Sequence, residues 1–569
     1  MSDLFAGYHT AAARHPFGSD AWDEMFSVLP GTPGTSVQVR DGYDRVLSVL
    51  EGMPRRELSA RIDALANSYL TQGVTFDFAG EERPFPIDPI PRIIEDAEWR
   101  HVEAGIAQRV RALEALLDDV YGPQNAIRDQ VIPSHIVASS KHFHRQAAGI
   151  RPANGVRIQV AGIDLIRDAA GTLRVLEDNV RVPSGVSYVM SNRSVMAQSL
   201  PELFGTQTVR PVTEYPSRLL AALRAAAPAD VEDPTVVVLT PGMHNSAYYE
   251  HTLLARRMGV ELVEGRDLFC TGGRVYMRTT GGPERVDVIY RRTDDEFIDP
   301  LNFRADSLLG SPGIMLAARL GHVTIANAVG NGVADDKLMY TYVPDLIRYY
   351  LHEEPIIPNV PTWRLEDPVQ LEEVLDRLDE LVVKPVDGSG GKGIVLGPQA
   401  SRDELDQLRR RLKKDPRGWI AQPVVMLSTI PSVVEDGIRP RHVDLRPFAV
   451  NDGEDVWVLP GGLTRVALPE GQLVVNSSQG GGSKDTWVLG APARSSLADE
   501  LVHDDQIDAP ANDLLKLGGA VASGGTGSLI GPDQGPRNAP DLRRQQEQEQ
   551  QQSRDARKHG EVRHAVANR

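Results

Sequence analysis

The sequence contains a single cysteine, Cys270, among 569 residues. One thiol cannot form an intramolecular disulfide, and it cannot supply a zinc-ribbon site, which needs several cysteine ligands. No base partner for Cys270 is evident in the sequence, so a buried structural thiol is favoured over a catalytic nucleophile. Cysteine chemistry is therefore not expected to carry the function.

The sequence also lacks a basic excess and long apolar runs. Its 61 Lys and Arg residues against 78 Asp and Glu residues give a formal net charge of −17, which disfavours wholesale binding to nucleic acid or anionic lipid. No run approaches the roughly 18 consecutive apolar residues of a membrane span. The N-terminal segment lacks the basic and apolar regions of a secretory signal. We therefore predict a cytoplasmic protein without nucleic-acid or membrane partners.

The distribution of apolar residues predicts a mixed fold. Apolar residues at three- and four-residue spacing predict helices over 55–70 and 95–121, separated by the proline-rich stretch 84–91. From residue 156 onward, strand-like segments alternate with helix-like segments, which indicates an α/β fold. The Gln-, Glu- and Arg-rich end has almost no apolar residues to bury and is predicted to be disordered, with a short solvated helix as the alternative.

A phosphate-binding loop is the strongest chemical signal. The strand-like segment LVVKP at 381–385 carries Lys384 and precedes four glycines in the six residues 388–393. Glycines let successive backbone N–H groups turn toward one anion, and Lys384 adds a positive charge. The spacing differs from that of a Walker loop, and a flexible turn between two strands is the alternative. The candidate phosphate-binding residues are Lys384, Gly388, Ser389, Gly390, Gly391, Lys392 and Gly393.

A carboxylate–amide group forms a candidate metal site. Glu177 and Asn179 lie two residues apart in the strand-like segment LEDN, so their side chains share one face. A hairpin would bring Asp164 of GIDLIRD beside them. Two carboxylates and an amide oxygen are suited to Mg²⁺, although a polar hairpin surface is the alternative. Asp178 would face away.

Other charged residues are weaker candidates. Arg291 follows the strand-like segment VDVIY, and Arg446 lies in HVDLRPF. Guanidinium groups bind carboxylate or phosphoryl oxygens with paired hydrogen bonds, but surface ion pairing explains most arginines. His142 and His144 suggest a metal, yet no third ligand stands at helical or finger spacing.

Together these blocks resemble the ATP-grasp ligases, in a shuffled order. The usual order ends with the metal block, whereas here GIDLIRD…LEDN lies upstream of VKP at 383–385, AQ at 421–422, DLR at 444–446 and the glycines at 480–482. Glutathionylspermidine synthetases and a bacterial circularly permuted ATP-grasp family have this order. The resemblance covers roughly residues 30–490 and implies an α/β (α+β), circularly permuted ATP-grasp fold with a helical N-terminal region and a disordered C-terminal tail.

The resemblance also implies roles for particular residues, with ATP and Mg²⁺ as cofactors. Lys384 and Lys337 would contact phosphates beneath the lid 388–393, and the group Asp164, Glu177 and Asn179 would hold Mg²⁺. Arg446 would steady the transferred phosphoryl group, and Arg291 would do the same or bind the acceptor carboxylate. Gln422 lies in the hinge strand, where Pro423 replaces the expected glutamate. Adenine would then be recognised through a backbone carbonyl.

The predicted function is ATP-dependent amide formation through an acylphosphate, from a small-molecule or peptide carboxylate and an amine. The alternatives are an ATP-dependent small-molecule kinase and a nucleotide-binding scaffold without turnover. The C-terminal tail is a candidate arm for a protein partner, with no motif to support it. The predicted regions are a mainly helical segment 1–150, the metal-ligand block 151–230, a substrate-side subdomain 231–330, ATP-clamping subdomains 331–500, a linker 501–529 and the tail 530–569.

Overall fold

The structure of the chain is a computed structural model. It describes residues 21–28, 37–78, 81–84, 86–205, 207–386, 393–435, 437–469 and 481–490, together with Phe5, Tyr8, Val475, Arg544 and Gln548. The predicted linker 501–529 lies outside the described residues, as do five of the candidate loop residues and nearly all of the predicted tail. The five loop residues are Gly388, Ser389, Gly390, Gly391 and Lys392.

Twenty-four strands lie in the described part of the chain. In chain order they are β1 Phe26–Val28, β2 Val37–Val39, β3 Thr75–Phe78, β4 Glu81–Pro84, β5 Ile87–Ile94, β6 Val160–Arg167, β7 Leu173–Asn179, β8 Val236–Leu239, β9 Glu261–Val263, β10 Leu268–Thr271, β11 Arg274–Thr279, β12 Gly282–Val286, β13 Val288–Arg291, β14 Thr324–Ala326, β15 Trp363–Arg364, β16 Leu381–Pro385, β17 Val395–Leu396, β18 Trp419–Pro423, β19 Thr429–Val434, β20 Gly437–Arg446, β21 Phe448–Asn451, β22 Val456–Val458, β23 Leu463–Val466 and β24 Gly482–Val488.

Fourteen α-helices lie between these strands in the same described part. Their bounds are Asp44–Gly52, Arg55–Thr71, Asp96–Val120, Asn125–Arg128, Ser134–Ala138, Val186–Ser199, Pro201–Phe204, Tyr215–Ala225, Tyr248–Met258, Ile314–Arg319, Lys337–Tyr340, Val343–Leu351, Pro368–Asp376 and Arg402–Lys414.

The largest sheet joins strands from distant parts of the chain. Its order is β22-β21-β6-β20-β23-β24-β5, with β7 also paired to β6 and β19 to β20. The early strand β6 therefore lies between its hairpin partner β7 and the late strands β20 and β21, all antiparallel to it. This placement is the structural form of the permuted order, and it confirms the fold predicted from the sequence motifs.

Two smaller four-stranded sheets are formed by the part of the chain between β7 and β19 of the largest sheet. The sheet β14-β13-β8-β9 is parallel, and its strands β8 and β13 are fully buried, as expected for an α/β unit covered by helices. The sheet β15-β18-β16-β17 is antiparallel. It contains the LVVKP strand, which occupies residues 381–385 as predicted.

The two long N-terminal helices are confirmed by Arg55–Thr71 and Asp96–Val120. The second helix packs its buried residues, including Trp99 and Leu113, against one face of the largest sheet, where Ile163 and Leu165 of β6 point. Side chains alternate between the faces of a strand. The neighbouring residue Asp164 therefore points to the opposite face.

The stretch 84–91 was predicted to separate two helices, and that prediction missed a strand. Residues Ile87–Ile94 form β5, which pairs in parallel with β24 at the end of the largest sheet. Proline has no N–H group and is tolerated on an edge strand, where one side of the backbone needs no partner. Pro89 and Pro91 lie at the register shift of this pairing, so the prolines mark an edge strand.

None of the described helices combines the length and the hydropathy that crossing a lipid bilayer requires. The longest, Asp96–Val120, carries charged residues throughout its length. The apolar side chains of this helix pack in the hydrophobic core against the largest sheet.

A buried lysine joins three strands of the largest sheet. Lys484 of β24 has no exposed surface and forms an ion pair with Asp88 of β5. Its Nζ also donates to the carbonyl oxygens of Ile90 at 3.0 Å and Pro431 of β19 at 2.9 Å. Because an isolated buried charge is strongly unfavourable, this one ammonium group depends on all three acceptors.

We predict that Lys484→Met lowers the free energy of unfolding by about 3–5 kcal/mol, because it leaves the Asp88 carboxylate buried without its charge partner. Urea unfolding followed by circular dichroism measures this loss. The matched control is Lys413→Met on the exposed face of the helix Arg402–Lys414, where a change within about 0.5 kcal/mol is expected. Equal stability of Lys484→Met and the wild type would contradict the role of Lys484.

Candidate functional site

Strand β16 places Lys384 at its carboxyl end, next to β18. The register pairs Lys384 with Ile420 and Val382 with Gln422. Lys384 Nζ donates to Gln422 Oε1 at 2.6 Å, and Gln422 Nε2 donates to Thr362 Oγ1 at 2.9 Å. Gln422 therefore orients the lysine from the neighbouring strand. Gly393, the one candidate loop glycine that is described, has a left-handed backbone with φ of +70°.

The electrostatics of Lys384 connect it to two other predicted residues. The pKa of Lys384 is lowered to about 8, mainly by burial; the charge of Glu177 opposes this shift, and the nearby charge of Lys337 adds to it. Lys337 Nζ lies 2.8 Å from Glu177 Oε1. The structure therefore brings the two predicted phosphate-contacting lysines and one predicted metal ligand into a single cluster.

The hairpin β6–β7 forms as predicted and presents its polar residues in register. Asp164 pairs with Glu177 and Gly162 pairs with Asn179, with an irregularity of register after Asp164. Asn179 Nδ2 is buried and has no hydrogen-bond acceptor among the described residues. Asp164, Glu177 and Asn179 thus lie on adjoining positions of one face, which is the arrangement proposed for a hard cation.

Asp178 points to the other face of this hairpin, as the strand alternation predicts. Its carboxylate is fully buried and accepts a hydrogen bond from Arg109 Nη2 at 2.8 Å. Arg109 belongs to the helix Asp96–Val120 that covers that face. Asp178 therefore fixes the hairpin to the helix, while its neighbours face the candidate site.

Asp164 is bonded to two arginines. Arg446 of β20 forms a bidentate pair with it, with Nη2 at 2.7 Å from Oδ2, and Arg465 Nη2 of β23 lies 2.9 Å from the same oxygen. Burial would raise the pKa of Asp164, but Arg446 and Arg465 hold it below its ordinary value. Arg465 also pairs with Asp444, Nε to Oδ1 at 3.0 Å. Metal binding by Asp164 would require Arg446 or Arg465 to exchange a bond.

Arg291 lies apart from this cluster. It is buried and donates to the carbonyl oxygens of Asn327 at 2.7 Å, Thr293 at 2.9 Å and Ala328 at 3.2 Å. It also pairs with Asp295 at 2.8 Å. The guanidinium group of Arg291 is therefore occupied by contacts within the protein. Binding of a phosphoryl or carboxylate group by Arg291 stays a prediction, and these contacts do not favour it.

Two further candidates from the sequence are not drawn into the cluster. Burial raises the pKa of the Cys270 thiol to about 11, which is the opposite of an activated nucleophile. Within the described residues, no group of three or more His, Cys, Asp or Glu side chains is placed to hold a metal ion. His142 and His144 therefore have no third ligand of these types there.

Sequence reasoning missed two residues of the site. Arg465, which bonds to Asp164 and Asp444, lies in the segment GGLTRVAL, where nothing local distinguishes it from a surface arginine. Asp335 lies two residues before Lys337 and accepts a hydrogen bond from the Val180 N–H at 2.7 Å. Burial raises the pKa of Asp335 to about 7, and Glu177 and Asp178 contribute in the same direction. The adjacent acidic pair in ADDK was the only sequence signal for Asp335.

Comparison with protein families gives one match over most of the chain. The sequence model of the family described as circularly permuted ATP-grasp type 2 matches residues 91–467. That range includes β5 in part, the hairpin β6–β7, Lys337, Lys384 and the arginines Arg446 and Arg465.

Relatives in several bacteria extend the similarity. An uncharacterized protein of Mycobacterium tuberculosis (strain H37Rv) is 59% identical over 498 residues, which are 88% of each chain. A protein of Synechocystis is 55% identical over 471 residues, 82% of this chain and 97% of the relative. A Frankia casuarinae protein named "Putative glutamate--cysteine ligase 2-2" is 45% identical over 454 residues, 79% of this chain and 52% of the relative. The chain thus spans about half of that last protein.

Among solved structures, a glutathione synthetase-like effector from Globodera pallida has a similar fold. The TM-score is 0.50 at 12% identity, and the match covers 77% of this chain and 98% of the effector. At this identity the likeness concerns the fold alone.

We predict that the pKa of Lys384 responds in opposite directions to its two charged neighbours. Glu177→Gln should lower it below about 8, because an attractive charge is lost, and Lys337→Met should raise it, because a repulsive charge is lost. Titration of the lysine side chains by heteronuclear NMR measures both shifts. Glu373→Gln, on an exposed ion pair with Arg377, should leave the pKa unchanged. Shifts of the same sign in the first two variants would contradict the cluster.

Proposed function

The chain belongs to the circularly permuted ATP-grasp family, type 2, and we propose that it is an ATP-dependent carboxylate–amine ligase. The observation that carries the proposal is the convergence of Lys384, Lys337 and Glu177 in one cluster. Each comes from a different element: β16, the helix Lys337–Tyr340 and β7. Two lysines beside an acidic residue suit a nucleotide polyphosphate bound with a divalent cation.

ATP would bind with its phosphates on the two lysines. Lys384, oriented by Gln422, and Lys337, oriented by Glu177, supply the positive charge. Pro423 follows Gln422 in β18 and has a carbonyl oxygen but no N–H group, so an acceptor for adenine is retained at the hinge. The loop 388–393 stays the proposed cover over the phosphates.

The residues of the hairpin fit Mg²⁺ by their chemistry. Glu177 and Asn179 share a face of β7, and Asp164 pairs with Glu177 across the hairpin. These three side chains would hold the ion, which supplies charge neutralisation to the phosphate oxygens when bound. Arg446 is bonded to Asp164 and to the Ser184 carbonyl oxygen at 3.2 Å. An exchange at Asp164 would release Arg446 toward the transferred phosphoryl group.

The proposed reaction has two steps. A carboxylate oxygen of the acid substrate attacks the γ-phosphorus, the bond to the bridging oxygen breaks, and ADP leaves. The amine nitrogen then attacks the acyl carbon, the carbon–oxygen bond to phosphate breaks, and the released phosphate and solvent take up the amine proton. The lysines and Arg446 position the phosphates and stabilise negative charge, so no protein nucleophile is required.

One observation favours a ligase over other ATP chemistry, and a second is compatible with it. The Frankia relatives at 45% and 44% identity carry names of glutamate–cysteine ligases, given as putative, and such a ligase joins a carboxylate to an amine. Burial also keeps the Cys270 thiol protonated, in agreement with a mechanism that proceeds without a covalent enzyme intermediate.

We predict that Lys384→Ala and Glu177→Ala each reduce ADP formation by about a hundredfold or more, because charge stabilisation of the phosphates is lost. ADP release is measured with MgATP and a panel of amino acids, short peptides and polyamines, with mass measurement of any product. Lys413→Ala on the exposed helix face is the matched control and should retain the wild-type rate. Wild-type turnover in either site variant would exclude the assignment.

The pKa of Lys384 also predicts a pH dependence of nucleotide binding. Phosphates favour the charged lysine, which predominates below pH about 8 and is lost above it. The affinity for ATP should therefore fall by about tenfold between pH 7 and pH 9, as measured by isothermal titration calorimetry. Lys384→Arg, whose guanidinium group stays charged, should remove this dependence. An unchanged pH profile in Lys384→Arg would assign the titration to another group.

A further inference from the structure

A second group of charged side chains lies beside the phosphate cluster and has no part in the steps above. It comprises His142, His144, Arg181, Asp294 and Asp295, which we name the Asp295 cluster. Arg181 Nη1 lies 3.4 Å from Asp294 Oδ1, and His144 Nε2 lies 3.7 Å from Asp295 Oδ2. Gly332 separates His142 from Arg181, and a Cβ there would lie 2.7 Å from His142 Cβ.

Asp295 is the deepest member of this cluster. Its side chain is 2% exposed, and neither carboxylate oxygen accepts a hydrogen bond from the described residues. Arg291 lies 2.8 Å from Oδ1, but it donates its hydrogen bonds to the carbonyls of Thr293, Asn327 and Ala328. Buried carboxylates normally accept several hydrogen bonds, so Asp295 has acceptor capacity for a donor from a ligand.

Other buried polar atoms in the segments that form the cluster also have no hydrogen-bond partner among the described residues. The hydroxyl of Thr293 and the amide oxygen of Asn331 are completely buried and have no hydrogen-bond partner among the described residues. The Arg181 Nε is likewise buried without one, 3.7 Å from Asp335 Oδ2. The side chains of Asp294 and Arg181 are about a quarter exposed, 25% and 27%. Solvent therefore reaches the cluster at Asp294, whereas Asp295 is buried.

The two histidine rings of the cluster carry no charge near pH 7, whereas its carboxylates and guanidinium groups face each other. Burial lowers the pKa of His142 to about 4 and also lowers the pKa of His144, so both rings are neutral near pH 7. Burial would raise the pKa of Asp295, but Arg291 holds it below the ordinary value, so Asp295 is ionised. The carboxylates of Asp294 and Asp295 thus face the guanidinium groups of Arg181 and Arg291, while the raised pKa of Asp335, about 7, leaves that carboxyl only partly charged.

The same two chain segments serve this cluster and the phosphate site. Arg181 follows the proposed metal ligand Asn179 by two residues, and Asp335 precedes Lys337 by two residues. The hydrogen bond from the Val180 N–H to Asp335 Oδ1, 2.7 Å long, joins the segments between the two sites. A ligand at Asp294 and Asp295 would therefore lie beside the phosphates.

We propose that Asp294 and Asp295 form the subsite for the amine substrate and bind its ammonium group. This inference rests on the proposed ligase function and specifies its acceptor as a cationic amine. Charge-assisted hydrogen bonds to the two carboxylates would hold the nitrogen, and the neutral rings of His142 and His144 would line the subsite without opposing the cation. The carbonyl groups already bonded to Arg291 keep that arginine in place below the subsite.

The test is equilibrium binding by calorimetry to the full chain in the presence of MgADP. The ligands are the common amino acids, glycylglycine and putrescine, each beside the form acetylated on every amino group, which lacks an ammonium charge. At least one amine should bind saturably and its acetylated form should not. Asp294→Asn and Asp295→Asn should each weaken that binding by at least about tenfold. Asp294→Asn is partly exposed and serves if Asp295→Asn does not fold.

The matched control is Asp306→Asn, on an exposed pair with Arg304, which should bind the amine as the wild type does. Binding of no amine, equal binding of an amine and its acetylated form, or wild-type affinity in the folded Asp294 and Asp295 variants would overturn the proposal. Amine binding with the predicted losses, but no ADP release with any acid, would refute the ligase function and leave the ammonium site standing. Normal ADP release by Asp294→Asn would refute the ammonium site and leave the ligase function standing.

Discussion

The ion pairs of Asp164 with Arg446 and Arg465 connect residues that are 282 and 301 positions apart in the chain. The carboxylate is 2% exposed, and a buried carboxylate is tolerated only with partners of this kind. Asp444 completes the group by pairing with Arg465. The candidate site therefore exists only where β6 lies against β20 and where β20 pairs with β23.

One face of the hairpin β6–β7 packs against the protein core, and the other carries the polar residues of the candidate site. The face with Asp178, Ile163 and Leu165 packs on the helix Asp96–Val120. The opposite face carries Asp164, Glu177 and the amide of Asn179. Because neighbouring residues on a strand point in opposite directions, a rigid base and a polar site are obtained from one short segment. The irregularity after Asp164 keeps Asp164 opposite Glu177 while the rest of the hairpin stays paired.

Features that depend on local pattern could be read from the sequence. The strand at 381–385 with Lys384 at its end, the hairpin that pairs Asp164 with Glu177, and the orientation of Asp178 away from the candidate site all follow from strand alternation and turn residues. The order of the motifs predicted the permuted fold, and the family match over 91–467 confirms it. Each of these features lies within one segment or in the order of segments.

Features that depend on packing between distant segments could not be read. Arg465 becomes a partner of Asp164 only through the pairing of β20 with β23. The carbonyls that occupy Arg291 come from residues 293, 327 and 328, which no pattern around Arg291 indicates. The strand β5 was hidden by its prolines, because its edge position arises from a parallel partner almost four hundred residues later. Features that require contacts between distant segments could not be predicted, even where the residue types were known.

The lowered pKa of Lys384 has a chemical consequence for an enzyme of the proposed kind. A neutral lysine is a nucleophile, and an acylphosphate formed beside it is an electrophile that could acylate the protein itself. Phosphate groups bound at Lys384 favour its protonated form, and a protonated amine does not attack. In the proposed reaction the lysine would thus be unreactive while the acylphosphate exists, and the bound phosphates would protect the protein from self-acylation.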